Sequence, residues 1–236
     1  MAVSQAAAAH NFLLASMPSE ALSRLLPLLY PVDLPVRLPL HQHAVAIETV
    51  YFPASGMISL IGNLDDGTQA EVGIIGREGM LGLSLLSESD TPFVDSMVQM
   101  SGTGLRMKAS DFRREIEANP PFKRLMMNYS EALQAQIMQT AACNGRHGLE
   151  QRFVRWLLMA HDRAGCDTLP LTQEFMAMML GVHRPSISVT AGILQRSGLI
   201  RCDRGQVTVL NRPGLEEACC DCYEAVKNRF LILLNI

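Results

Sequence analysis

The stretch Leu171-Thr172-Gln173-Glu174-Phe175-Met176-Ala177-Met178-Met179-Leu180-Gly181-Val182-His183-Arg184-Pro185-Ser186-Ile187-Ser188-Val189 reads as two short helices and the turn between them. Thr172 is an N-cap candidate, because its hydroxyl can accept from an N–H of the first turn, and Phe175, Met176, Met179 and Leu180 then recur on one face. Gly181 enters the left-handed region most readily and breaks the first helix after Leu180. Arg184-Pro185 starts the second, since a proline in the first turn has no intrahelical hydrogen bond to lose. Ile187, Thr190, Ala191 and Leu194 give it a buried face, and Gly198 ends it near residue 197. Two helices about a three-residue turn make a helix-turn-helix. Residues 199–202 and 206–210 flank Asp203-Arg204-Gly205 and predict a hairpin in the position of a wing.

The second helix of such a unit enters the major groove with its N-terminal residues at the base edges. Arg184 stands there, and its planar fork suits guanine O6 and N7. Ser188, Val189 and Gly192 share the face opposite the buried stripe and carry no charge. Base reading therefore leans on Arg184, on apolar contact from Val189 with a thymine methyl, and on DNA shape. Thr172, Gln173, His183, Ser186 and Arg204 are positioned to hold phosphates. The candidate DNA-binding set is thus Thr172, Gln173, His183, Arg184, Ser186, Ser188, Val189 and Arg204. A solvated polar side chain is the competing account of each.

Toward the N-terminus the texture changes. Residues 18–30 predict a short lead helix, capped by Ser19 and interrupted near Pro27. Between about 32 and 108, apolar runs at 45–52, 57–64, 70–75, 94–100 and 104–108 alternate with turn residues, as in a β-roll or barrel. Asp65-Asp66-Gly67 supplies a tight hairpin turn, while Gly73, Gly76, Gly79 and Gly82 mark corners. Ser110 caps a helix over 111–118, and Pro120-Pro121 punctuates. A long helix follows from Phe122 to about Gly145, with an apolar stripe that includes Met126, Tyr129, Leu133 and Ile137. At about 1.5 Å per residue it outruns a small roll. Its surplus stripe is expected to pack on the same helix of a second copy; packing wholly on its own domain is the alternative. Residues 149–163 form a further amphipathic helix bearing Trp156.

The fold class is therefore α+β: an N-terminal antiparallel β-roll, a long dimerisation helix and a C-terminal winged helix-turn-helix. The domains are expected at 1–118, 119–147 and 148–236. The chain has 236 residues, 48% of them hydrophobic and 18% charged, which excludes disorder as the main state. No run approaches the roughly 18–20 apolar residues of a membrane helix, and no signal-peptide pattern opens the chain, so a soluble, cytoplasmic protein without a membrane partner is expected. The formal charge of −3 argues against a nucleic-acid partner. Yet residues 184–212 hold Arg184, Arg196, Arg201, Arg204 and Arg212 against the single acid Asp203, which restores that reading.

The cysteines Cys143, Cys166, Cys202, Cys219, Cys220 and Cys222 are expected to be reduced. Cys219-Cys220-Asp221-Cys222 invites a metal or redox role, but no partner histidine follows, so no metal site is assigned. His41 and His43 are read as exposed loop residues. Nothing in the chain supplies a nucleophile elbow, a phosphate loop or a zinc-protease pair, and no enzyme activity is expected.

A β-roll, a long helix and a winged helix in this order resemble the Crp/Fnr family of bacterial transcription regulators. Residues 171–189 with Gly198-Leu199-Ile200-Arg201 carry the likeness most specifically. Ala141-Ala142-Cys143-Asn144, residues 150–159 and residues 218–223 are similar to a subgroup of it. The resemblance implies a cyclic-nucleotide-binding-like roll, a homodimer through the long helix, a two-fold operator in double-stranded DNA, and contact with RNA polymerase. It also implies an effector pocket at the loop closing the roll, here Gly79, Met80, Leu81, Gly82 and Leu83. Members that bind cyclic AMP place a Glu and an Arg-Ser pair in this loop. Leu83 stands at about the Glu position, and no Arg lies between Arg77 and Arg106, so the departure argues against cyclic AMP. An N-terminal iron–sulfur cluster has no cysteines to hold it. The family's recognition helix commonly carries Arg, Glu and a second Arg, of which only the first is matched, by Arg184. An effector not needing the Arg-Ser pair, such as a cyclic dinucleotide, and a sensor using the terminal cysteines remain the alternative inputs.

Overall fold

Residues 3–87 and 89–235 are described by a computed structural model, so the outermost domain limits, residues 1 and 236, lie outside the described residues. Three short helices come first: α1 (Gln5–Ala8), α2 (Phe12–Ala15) and α3 (Ser19–Leu25), the last passing into a 3-10 turn at Leu26–Leu28. Sequence periodicity finds only α3, because four residues are too few to show a helical repeat. Ser19 is not its cap. It is the first helical residue, and Pro18 before it offers no side-chain hydrogen bond.

The roll is built from β1 (Tyr30–Leu34), β2 (Pro39–His41), β3 (Thr49–Pro53), β4 (Met57–Asn63), β5 (Gln69–Ile75), β6 (Asp95–Met100) and β7 (Gly102–Lys108). They pair antiparallel in two sheets, ordered β1-β7-β3 and β2-β6-β4-β5. Gly67, at φ 79°, makes the β4–β5 turn expected of Asp65-Asp66-Gly67. His41 is buried rather than exposed, its Nε2–H donating to the Thr49 carbonyl at 2.7 Å; only His43 faces solvent.

Two helices follow, α4 (Ala109–Ala118) and α5 (Pro120–Arg146). Ser110 lies inside α4 and does not cap it. Pro120 and Pro121 occupy the first turn of α5 rather than separating the two, and Asn119 caps it by accepting from the Phe122 N–H. With 27 residues α5 runs about 40 Å.

Beyond it come α6 (Leu149–Ala164), β8 (Thr168–Leu169), α7 (Gln173–Leu180), α8 (Arg184–Arg196), β9 (Ile200–Asp203), β10 (Gln206–Val209), α9 (Arg212–Ala218) and α10 (Cys222–Leu234). The wing strands pair in the order β8-β10-β9.

The apolar stripe of α5 is covered from within the chain. Met126 and Tyr129 are fully buried and Leu133 nearly so, in one core with Phe52 and Met80 of the roll, Phe112 of α4, and Val226, Phe230 and Leu234 of α10. Tyr129 meets Phe230 edge to face at 6.4 Å, Asn128 donates to the Leu233 carbonyl at 3.1 Å, and Arg229 pairs with Glu131. Ile137 is half-buried over Gly73. In this conformation Met126, Tyr129 and Leu133 are therefore not available to a second copy. Periodicity identifies an apolar face but not what covers it, and α10 covers this one. Gly79 owes its place to the same packing, since a Cβ there would lie 2.1 Å from the Tyr129 hydroxyl.

The edge strand β5 is where the head, the unit formed by α6 to α9 with β8–β10, joins the roll. Gln136 of α5 clamps Ile74, accepting from its N–H at 2.8 Å and donating to its carbonyl at 3.2 Å, so the open edge is capped by a side chain. On the outer face of the sheet, Met57, Ile61, Ile74 and Met100 share a core with Phe153, Trp156, Leu157, Met176 and Leu180. Trp156 Nε1 donates to Glu71 at 2.6 Å, and Arg163 pairs with Glu78 at 2.8 Å. Burial pushes the Glu71 carboxyl up to about 7, against the hydrogen bonds from Ser59 and Trp156 that favour its charge.

Candidate nucleic-acid interface

Thr172 caps α7, its hydroxyl oxygen accepting from the Phe175 N–H at 3.2 Å, and Gly181 closes the helix in the left-handed region at φ 62°. The helix ends pack as the sequence predicts: Ile187, Thr190, Ala191 and Leu194 are buried, and Pro185 sits in the first turn of α8. Arg204 and Gly205 both take positive φ, 45° and 79°, and form the two-residue turn of the wing with Asp203 opposite Gln206. This turn holds Arg204 at the tip with 94% of its side chain exposed.

The α7 and α8 N-termini and the wing enclose a cleft of about 290 Å³ lined by Thr172, Gln173, Glu174, Arg184, Arg204 and Gln206. Arg184 is 61% exposed and rests 3.4 Å from Glu174, a partner the sequence reading missed. An exposed pair of this kind contributes about 0–1 kcal/mol, so the guanidinium is easily redirected to a base or phosphate. His183 precedes α8 without capping it, and His183, Ser186 and Val189 all face solvent. Ser188 is half-buried and donates to Gln173 Oε1 at 2.6 Å; that bond locks α7 to α8, and its hydroxyl is engaged inside the protein.

Two further departures concern arginine. Arg196 folds back along α8, its guanidinium reaching the space left open by the missing side chain of Gly192, so a second cation does lie along the uncharged face. The signal was available: Arg196 is seven residues after Val189, two helical turns on the same face. Arg212, by contrast, belongs to another neighbourhood. It pairs with Asp162 at 2.6 Å and Glu216 at 3.0 Å and donates to Tyr223.

At the roll, Met80, Leu81, Gly82 and Leu83 line a cavity of about 160 Å³ together with Leu60, Ile75 and Leu133, whereas Gly79 is turned against Tyr129. No Lys or Arg lines it among the described residues. The terminal cysteines also depart from expectation: Cys220 and Cys222 meet Cys143 and His147, so the histidine that does not follow them arrives from the end of α5. Among the described residues no helix is long and apolar enough to cross a membrane.

Residues 151–218 match the Crp-like helix-turn-helix domain. A transcriptional regulator of the Crp/Fnr family from Eubacterium rectale superposes with a TM-score of 0.68 at 18% identity, over 87% of this chain and 96% of that one. The structure of FixK2 from Bradyrhizobium japonicum gives 0.70 at 15% identity, over 81% and 98%. The c-di-GMP responsive global regulator CLP from Xanthomonas campestris gives 0.68 at 17% identity, over 82% and 100%. No curated protein matches the chain.

Proposed function

From a Crp-like helix-turn-helix domain carried on the fold of the Crp/Fnr transcription regulators, we infer that this protein binds double-stranded DNA sequence-specifically and acts as a homodimer on a two-fold operator in the cytoplasm. The observation that carries the reading is Arg184, exposed at the N-terminus of α8 beside a wing whose tip is Arg204. In this reading Arg184 reads a base, Val189 adds an apolar contact, and Arg196 reaches the groove or its flanking phosphates from the next turns. Thr172, Gln173, His183, Ser186 and Arg204 orient the backbone, while Ser188 acts indirectly by fixing Gln173.

The dimer contact moves to the free face of α5, where Met127, Gln134, Met138 and Ala141 are exposed at steps of seven, four and three residues. The segments 1–118, 119–147 and 148–236 then serve as roll, dimer helix and reader, with RNA polymerase as the partner that senses occupancy. The roll is degenerate for cyclic AMP: its cavity is smaller than the about 300–1,000 Å³ of ordinary ligand pockets and offers a phosphate no cation. A small apolar effector entering beside Phe93, which is 87% exposed at the cavity mouth, is the second reading.

Selection of bound sequences from a random duplex pool, with no effector added and under reducing conditions, tests the proposal. A two-fold consensus with half-sites one helical turn apart is expected. Salt-sensitive binding with no consensus overturns it. Thermal shift measurements check both effector statements: cyclic nucleotides and cyclic dinucleotides should leave the melting temperature unchanged, and stabilisation by small apolar compounds would support the second reading.

A further inference from the structure

Six cysteines with no disulfide leave one question that the DNA-binding surface does not absorb. Four potential ligand atoms, the thiols of Cys143, Cys220 and Cys222 and a ring nitrogen of His147, lie within 4.8 Å of one another. They come from two distant places. Cys143 and His147 are four residues apart at the C-terminal end of α5, where the His147 N–H still bonds to the Cys143 carbonyl at 2.9 Å. Cys220 lies in the turn between α9 and α10, and Cys222 opens α10 just after Asp221.

The spacing is metric as well as topological. Zinc with Zn–S of about 2.3 Å and Zn–N of about 2.0 Å at a tetrahedral angle sets S···S edges of about 3.8 Å and S···N edges of about 3.5 Å. Cys143 Sγ and Cys220 Sγ are 3.7 Å apart, and Cys222 Sγ and His147 Nδ1 are 3.5 Å apart. The three cysteines are buried and His147 is half-buried, so a metal here would have four protein ligands and no open position. Gln139 Nε2–H donates to Cys222 Sγ at 3.1 Å, as outer-shell groups do around thiolate ligands.

The surrounding charge fits as well. Three thiolates, a neutral imidazole and Zn²⁺ sum to −1. Arg155 is 4% exposed, and its Nε–H has no acceptor. Arg155 is placed beside the cluster by its hydrogen bond to the Thr140 hydroxyl at 3.0 Å, on the turn of α5 just before Cys143. A buried guanidinium short of an acceptor, close enough to act on Cys143, is the counter-charge that an anionic zinc–thiolate centre needs.

We propose that Cys143, His147, Cys220 and Cys222 form a closed structural zinc site that staples the end of α5 to the α9–α10 turn. Loading converts three thiols to zinc thiolates and releases three protons to solvent, with no oxidation or reduction. Cys219 packs against the cluster without being a ligand. The site fixes α10 on α5 from one end, and it stands independently of whether the head binds DNA.

The test uses the full chain purified under reducing conditions, with metal content measured and Co²⁺ loaded as a spectroscopic probe. About one zinc per chain and an intense thiolate-to-cobalt charge-transfer band are expected. Cys222→Ala and His147→Ala should lose both signals, while Cys219→Ser keeps them and His147→Cys restores them as a four-thiolate site. Folding of each variant is followed by circular dichroism; the cobalt spectrum of the unaltered chain decides even if the loss variants do not fold. Failure to take up zinc or cobalt, an iron–sulfur chromophore in their place, or a Cys143–Cys220 disulfide in the reduced preparation overturns the proposal. So does loss of metal in Cys219→Ser.

Discussion

The cavity of the roll and the cleft of the head are each lined by loop residues together with the strands and helices beside them, and they differ in what faces inward. At the roll, Met80, Leu81, Leu83 and Leu133 line a cavity of about 160 Å³ with no Lys or Arg among its described lining residues. At the head, Thr172, Gln173, Arg184 and Arg204 present donors to an open cleft of nearly twice that volume. One site presents a small, mainly apolar lining, and the other an open polar one. The contrast explains why fold likeness alone does not transfer an effector: the fold supplies a place, and the side chains decide whether anything charged can occupy it.

Replacing Met80 by Ala attacks the apolar lining. Loss of a fully buried Met costs about 2–5 kcal/mol in denaturant unfolding. The selected DNA consensus should not change. A consensus that disappeared while the protein stayed folded would abolish the distinction between core and reader. Arg184→Ala attacks the polar one, with about 1–3 kcal/mol of discrimination lost at one base position per half-site. Single-base operator variants measure it, and the melting temperature should stay within about a degree or two of the parent.

Glu71 lies between roll and head and gives a pH signature. Its carboxyl ionises near 7 when folded against an ordinary 4.5, so its neutral form is favoured by folding. The stability it contributes is complete below pH 4.5 and is lost as pH rises through 7. Glu71→Gln should therefore match the parent at pH 4 and exceed its melting temperature by roughly a few degrees at pH 8. Thermal denaturation across that range checks the sign. Arg204→Ala is the mildest change. Binding should weaken evenly across sequences and the salt slope should fall by about 1, as measured by titration at several ionic strengths.

The reader was legible because its instructions are local. Thr172 as cap, Gly181 in the turn, Pro185 in the first turn of α8 and the Arg204-Gly205 tip each act within four residues. The roll's strands were legible from alternation and glycine, though β3 begins at Thr49 rather than Val45, because the Val45 and Ile47 N–H groups bond to the Gln42 and Asp90 carbonyls outside any ladder. What could not be read depends on distance along the chain. The stripe of α5 announces an apolar face, but Phe230, which covers it, lies about a hundred residues later. Cys220 lacks a local histidine, and its partners Cys143 and His147 arrive by the same closure of α10 on α5. Glu174 is silent in the sequence for a different reason: a first-turn acid reads as a favourable partner of the helix dipole, and only the packing of α7 on α8 brings it to Arg184.

The docking of α10 on α5 has a consequence for biogenesis. Tyr129 leaves the ribosome well before Phe230, and at about 5–20 residues per second the intervening synthesis takes roughly 5–20 s. Throughout that interval the roll can form its strands, yet the face of the long helix that α10 will cover stays bare. The nascent chain is thus most exposed to aggregation during that interval, and the arrival of α10 is the closing step that ends the hazard.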